Sequence, residues 1–222
     1  MRYKIIENVD ISGVEECSGI RTGMIRPVPT DELRQFSWSA LELFMHKYGL
    51  YCFPTTELIE HLAGILEGGG SAIEIGCGLG VIGRALGIPI TDSRMQEWPA
   101  IKQYYDLCRQ PTIQYPADVE ELDALAAVQK YHPDIVIGSY ITHLWRPGMK
   151  TGNQYGVDTI QLINSVGEYY MIGNLNIHTK DDPAMKYLDG YEHHDFLVTR
   201  GDPSKAVIFR WRNPKFQKHI SK

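Results

Sequence analysis

The stretch of this sequence best suited to chemistry is AIEIGCGLGVIGRALG, which starts at Ala72. A short apolar run ends at Ile75, glycines follow at alternate positions (Gly76, Gly78, Gly80), and a helical pattern begins. Glycines set this way let a ligand approach the backbone, and two ligand classes match the letters. Gly78-x-Gly80-x-x-Gly83 satisfies the pattern that holds a dinucleotide diphosphate at a helix N-terminus. Glu74-x-Gly76-x-Gly78-x-Gly80 instead places an acid ahead of the glycines, where a carboxylate repels a diphosphate and attracts the ammonium of an amino-acid-like ligand. Spacing favours the second. A dinucleotide fold carries its ribose-binding acid about 20 residues after the glycines. The candidate acid here, Asp92, follows Gly78 by only 14 positions, and Gly87 and Pro89 already cut the helix short. Measured from Gly76, the acid falls nearer the expected distance. A glycine-rich turn that binds nothing is the remaining reading.

The elements that must position these residues follow from periodicity. TDELRQFSWSALELFMHKYG reads as one helix from Thr30 or Asp31, and PTTELIEHLAGILEGGG as a second, started at Pro54 and ended by its glycines. Strands are expected at Ala72–Ile75, Ile88–Thr91, TIQYP, DIVIGSYI and YYMIGNL. Helices are expected between them at Gly80–Leu86, MQEWPAIKQYYDLCRQ, VEELDALAAVQKY and VDTIQLINSVG, with Pro99 either in a first turn or breaking its helix. DFLVTR and KAVIFRWR flank the turn signal GDPS and read as a closing antiparallel hairpin. Residues 1–35 read as an irregular arm with a short hairpin. Alternating strands and helices imply an α/β fold with a mainly parallel sheet and helices on both faces. In such sheets ligands sit beyond the C-terminal strand ends.

Composition sets the outer bounds. At 222 residues and 43% hydrophobic content, one α/β domain with an accessory segment is expected. The chain has no run of about 18 apolar residues, so no membrane span is expected, and the acidic N-terminus does not resemble an export signal. Cys17, Cys52, Cys77 and Cys108 are scattered and form no C-x-x-C pair. This argues against a structural zinc site and for a reducing, cytoplasmic setting. A net charge of −5 disfavours an extended nucleic-acid surface.

Four ordered segments resemble those of class I (Rossmann-like) S-adenosylmethionine (SAM)-dependent methyltransferases, over about residues 50–212. EIGCGLG resembles the first family motif, whose glycines pass under the methionine end and adenosine; the resemblance assigns Glu74, Gly76, Cys77, Gly78 and Gly80 to the cofactor. TDSRMQ resembles the acid after the second strand, so Asp92, with Ser93 beside it, would hold the ribose hydroxyls. ADVEEL resembles the third segment, where Asp118 would accept from the adenine amino group and the Val119 backbone would touch the ring. PDIVIGSYITHLW resembles the fourth strand and its loop, which faces the sulfonium and methyl group. YGLYCFPTTELIEHL is similar to the helix placed over the methionine moiety, which would bring Tyr51 and Thr55 to the cofactor.

The resemblance implies a seven-stranded core, with residues 1–50 as N-terminal arm and helical cap and 51–222 as the SAM-binding domain. It implies methyl transfer to a small molecule or a protein side chain. The Pro-Pro-aromatic sequence of DNA amino-methylating enzymes and a Pro-Cys pair for cytosine C5 chemistry are both absent. Alternatives are an RNA methyltransferase using the basic tail RWRNPKFQKHISK, a SAM-binding sensor or subunit without turnover, and a SAM-cleaving enzyme on the same scaffold.

At the fourth strand, His143 stands where the family's acceptor sits and is a candidate general base, because an imidazole takes a proton near neutral pH. A structural, hydrogen-bonded histidine is the competing reading. Ser139 and Tyr140 are candidates to line the cofactor or acceptor, and Trp145 with Arg146 an acceptor wall. The adjacent His193 and His194 diverge on a strand and read as surface residues, not metal ligands. No metal is expected.

Overall fold

In the computed structural model of the chain, residues 9–216 are described. The N-terminal part is helical: α1 (Ser12–Cys17), α2 (Thr30–Leu33), α3 (Trp38–Lys47) and α4 (Thr56–Glu67) precede the first strand. No hairpin forms among the described residues of the arm; Val28 instead makes a single parallel bridge to Thr55. The helix expected from Thr30 is split in two. Ser37 interrupts it and caps α3, accepting from the N–H of Ala40 at 3.2 Å. Val14, Leu33, Phe44, Met45, Phe53 and Val81 share one apolar cluster, which docks this region on the start of α5 (Val81–Leu86).

The strands are β1 (Ala72–Ile75), β2 (Thr91–Asp92), β3 (Glu120–Glu121), β4 (Ile135–Ser139), β5 (Glu168–Asn174), β6 (Gly190–Glu192) and β7 (Ala206–Arg212). They do not form the expected seven-stranded, mainly parallel sheet. Among the described residues there is a five-stranded mixed sheet of order β1-β4-β5-β7-β6 and a separate two-stranded parallel sheet, β2-β3. β4 runs parallel to β1 and β5, while β7 is antiparallel to β5 and to β6. The separation has a local cause. Pro89 lacks the N–H that a longer ladder from β1 requires. The backbone ladder between the two sheets shrinks to one bridge, Glu74–Ile90, with Glu74 N–H donating to Pro89 O at 2.9 Å, and the Thr91 hydroxyl adds a bond to Glu74 O at 3.1 Å.

The closing hairpin differs too. β7 pairs with Gly190–Glu192, not with residues 195–200. Those residues cross to the N-terminal region: Phe53 N–H donates to Val198 O (2.7 Å) and Arg200 N–H to Tyr51 O (2.9 Å). TIQYP forms no strand and belongs to a loop in which Ile113 is buried. The run from Met95 is a 3₁₀ turn (Met95–Glu97) followed by α6 (Pro99–Leu107), with Pro99 in the first turn, where its missing N–H costs nothing.

Side chains alternate across the five-stranded sheet, and both faces are covered. Ile73, Val136, Tyr169 and Phe209 meet α7 (Ala124–Tyr131) and α8 (Thr159–Ser165) on one side. Ala72, Ile137, Tyr170 and Ile208 meet α4 and α5 on the other. β1 is buried at every position, as a strand covered on both faces must be. A short helix, α9 (Leu175–His178), follows β5 directly. No described helix is long and apolar enough to cross a membrane.

Candidate functional site

The glycine turn lies at the C-terminal end of β1. Gly76 (φ +54°) and Gly80 (φ +66°) adopt left-handed backbone that a side chain would strain. The space beside them is taken by the protein itself. A Cβ on Gly76 would fall 2.4 Å from Ile141 Cδ1, and one on Gly80 would fall 2.6 Å from Ile90 Cδ1. Ile113 lies across the turn at Gly78 (3.6 Å from an added Cβ) and packs on Gly49, where a Cβ would come within 2.0 Å of its Cγ2.

Two buried carboxyls flank the turn with different partners. Glu74 (1% exposed) points inward and accepts from the N–H of Gly83 in α5 at 2.7 Å. Burial pushes its pKa up to about 8, with the nearby Asp92 adding to the rise. Its carboxyl therefore carries little charge at neutral pH. Asp92 (7% exposed) accepts from the N–H of Gly78 (2.9 Å), from that of Arg94 (2.8 Å) and from the Tyr115 hydroxyl. Burial raises its pKa, and these hydrogen bonds oppose the rise. Each oxygen accepts one backbone N–H, and with the Tyr115 hydroxyl three of the roughly four lone-pair sites are taken. Ser93 is half-buried beside it. Burial and the Glu74 carboxyl raise the Cys77 thiol well above its ordinary value, which makes it a poor nucleophile.

Tyr51, Glu74, Gly76, Cys77, Gly78 and Ser139 come together around one cavity of about 60 Å³. A larger cavity of about 330 Å³, lined by Lys47, Tyr48, Arg84, Ile113, Gln114 and Pro116 among others, lies alongside. Leu79 and Val81 line both, and the Ile113–Gly49 contact has one partner in each. Tyr51 stacks on Tyr140 (centroids 5.4 Å apart, planes at 29°), and the Arg200 guanidinium lies over the Tyr51 ring at 4.4 Å. Tyr140 has φ +55° and donates from its hydroxyl to Arg200 O at 2.8 Å.

Other residues singled out in the sequence lie apart from this cavity or are otherwise engaged. Thr55 is fully buried; it accepts from Leu58 N–H as the α4 cap (3.2 Å) and donates to Phe196 O (3.0 Å). Asp118 faces outward in a two-bond pair with Arg84 (2.9 Å each), which holds its carboxyl below the usual range. Val119 is buried; its N–H donates to Pro116 O, and its carbonyl accepts from Arg94 Nη2. His143 is buried, with Nε2 3.2 Å from Thr151 O and Nδ1 3.6 Å from the Asp182 carboxylate. Trp145 donates to Met149 O, and Arg146 pairs with Asp158 at the α8 cap. The basic tail divides: Arg210, Trp211 and Arg212 are in β7, with both arginines paired to Asp189 and Trp211 buried, and residues 217–222 lie outside the described residues.

Sequence reasoning missed Ile113, Tyr115 and Arg200. The first two lie in a stretch with strand composition, and Arg200 in an expected hairpin strand. No local pattern marks any of them, because their partners are distant in the chain.

No protein-family model and no curated protein matches this chain. Among solved structures, a crystal structure of a Thermoplasma acidophilum protein is similar at 16% identity and a TM-score of 0.37, covering 81% of this chain and 98% of that one.

Proposed function

We propose that this chain is a SAM-dependent methyltransferase that binds its cofactor at the C-terminal end of β1, with a small molecule or a protein side chain as acceptor. The observation that carries the reading is Asp92, a buried carboxylate tied to the glycine turn through Gly78 N–H and keeping an acceptor site for a ribose hydroxyl. The glycines keep side chains off the backbone that the cofactor would approach, and Ser139 and Tyr51 share the adjoining cavity. When bound, SAM supplies an already activated methyl electrophile. The chain's own work is then to position and to exclude water. His143 does not line the cavity, so within this reading it organises the 142–157 loop, where it bridges to Val157. A reducing, cytosolic setting accords with four free cysteines.

Asp92 lines neither cavity, so the closed turn offers the cofactor neither its ribose partner nor enough room. The cavity of about 60 Å³ falls short of the ~300–1,000 Å³ typical of small-molecule sites. Binding therefore requires the loop carrying Ile113 to withdraw from Gly49, opening the turn to the larger cavity. The same crowding favours a second reading, a SAM-responsive domain without turnover, in which Ile113 and Ile141 keep the turn closed.

Calorimetric titration of the full chain with SAM and with S-adenosylhomocysteine tests the first reading. Asp92→Asn should weaken both by at least tenfold while circular dichroism shows an intact fold. Absence of binding at millimolar ligand removes both readings. Binding with no S-adenosylhomocysteine formed over small-molecule and protein acceptor pools leaves the second.

A further inference from the structure

On the sheet edge formed by β6, a side chain from α4 meets two from the end of the strand. His61 projects from α4, Glu192 ends β6, and His194 follows two residues later. One donor atom from each lies within 4.8 Å of the other two. His194 Nε2 is 3.1 Å and His61 Nε2 3.8 Å from the same carboxylate oxygen, Glu192 Oε2. We propose that His61, Glu192 and His194 form a binding site for one first-row divalent cation, zinc foremost, which clamps α4 to the β6 edge.

Several observations support the assignment independently of the SAM reading. A tetrahedral zinc ion with bonds of about 2.0–2.1 Å to nitrogen and oxygen holds its donors roughly 3.3 Å apart. The two separations to Glu192 Oε2 bracket that distance and the nitrogen–nitrogen separation is within 4.8 Å, so the donors close on an ion by a small inward adjustment. Two imidazoles and one carboxylate are a donor set suited to zinc and its neighbours and poorly suited to magnesium or calcium. The two imidazole rings lie with centroids 4.5 Å apart and planes at 53°, close enough to share one cation.

The surroundings are built and open at once. Phe196 stacks on His194 (4.5 Å, 10°) and flanks His61 (5.6 Å), which fixes both rings. Its carbonyl is held by the buried Thr55 hydroxyl at the cap of α4, so the helix bearing His61 and the segment bearing His194 are already tied together. The side chains of His61 and His194 are about a quarter exposed and that of Glu192 about half, leaving an entry path and a fourth position for water. His193 takes no part: its Nδ1 lies 3.1 Å from Ala206 O. His193 and His194 therefore diverge as read from the sequence, and His194 turns instead to Glu192 two residues before it and to His61 across space.

Titration of the metal-free, tag-free full chain with Zn²⁺ tests the site. One equivalent should bind and raise the melting temperature, since a cation selective for the folded state stabilises it. His61→Ala, Glu192→Gln and His194→Ala should each weaken binding by tenfold or more and abolish the thermal shift, while His193→Ala should leave both unchanged. Co²⁺ in place of Zn²⁺ should give the visible spectrum of a tetrahedral nitrogen–oxygen site in the wild type and in His193→Ala, and in none of the three ligand variants. Equal zinc affinity in wild type and His61→Ala would overturn the proposal. So would binding that disappears on changing the exposed thiol of Cys108 to serine.

Discussion

The end of β1 and the edge at β6 organise polar groups in opposite ways. At β1, glycines clear space that the chain's own isoleucines then occupy, and both carboxyls turn to backbone N–H groups. At β6, aromatic packing holds two imidazoles and a carboxylate within reach of one another yet open to solvent. The first region must move a loop before it can bind anything of nucleoside size. The second needs only an ion. The difference teaches that a recognisable motif and a preformed site are separate properties.

The largest effect tests the crowding at β1. Gly76→Ala combines left-handed backbone with a Cβ 2.4 Å from Ile141, and should lower stability by about 3 kcal/mol in urea denaturation. A loss below about 0.5 kcal/mol would mean the turn is not packed as described, and the contrast between the regions would collapse.

Next comes the inward carboxyl. Burial raises the folded pKa of Glu74 from 4.5 to about 8, so the folded state binds more protons than the unfolded state between those values. The stability contributed is fully present below pH 4.5 and is lost as pH rises through 8. Asp92 acts with the same sign. His178, pushed down to about 4 by burial, acts oppositely, so its contribution grows as pH rises from 4 to 6.5. The comparison of wild type with Glu74→Gln isolates the first contribution. Their stability difference should shift by on the order of 2–3 kcal/mol in favour of the variant between about pH 6 and 8. A difference independent of pH would show Glu74 to be charged and solvated.

Ile113→Ala sharpens the comparison from the ligand side. It should cost about 2 kcal/mol of stability through lost packing on Gly49. It should also tighten SAM binding several-fold, because the closed form that competes with the ligand is weakened. Weaker SAM binding in this variant would make Ile113 part of the cofactor site instead of its cover. The smallest effect is expected at Arg84→Ala. Its pair with the half-exposed Asp118 is a surface contact, worth less than about 1 kcal/mol and reduced further by salt. A larger loss would tie Asp118 to the site after all.

Strongly patterned segments were legible in the sequence. Ala72–Ile75 forms a strand over the residues expected, and Ile135–Ser139 lies within the expected DIVIGSYI, because apolar β-branched runs between turn residues have few other solutions. Thr55 and the glycines after Glu67 bound α4 for equally local reasons: a capping hydroxyl and a flexible stop. The partners of those strands were not legible. One proline reduces the ladder between β1 and β2 to a bridge, and residues 195–200 pair with the N-terminal region in place of the hairpin partner that lies next to them in sequence.

The same division holds for the sites. The sequence by itself determined that a strand would end in a glycine turn with an acid before it and another after it, since spacing along the chain is enough for that. Only the tertiary structure decided that Glu74 faces α5, that Asp92 braces the turn, that Ile113 closes it, and that His61 meets His194 across more than a hundred residues of chain. The physical reason is that backbone preference acts over a few residues, whereas burial and donor–acceptor pairing depend on which distant segments the packed core brings together.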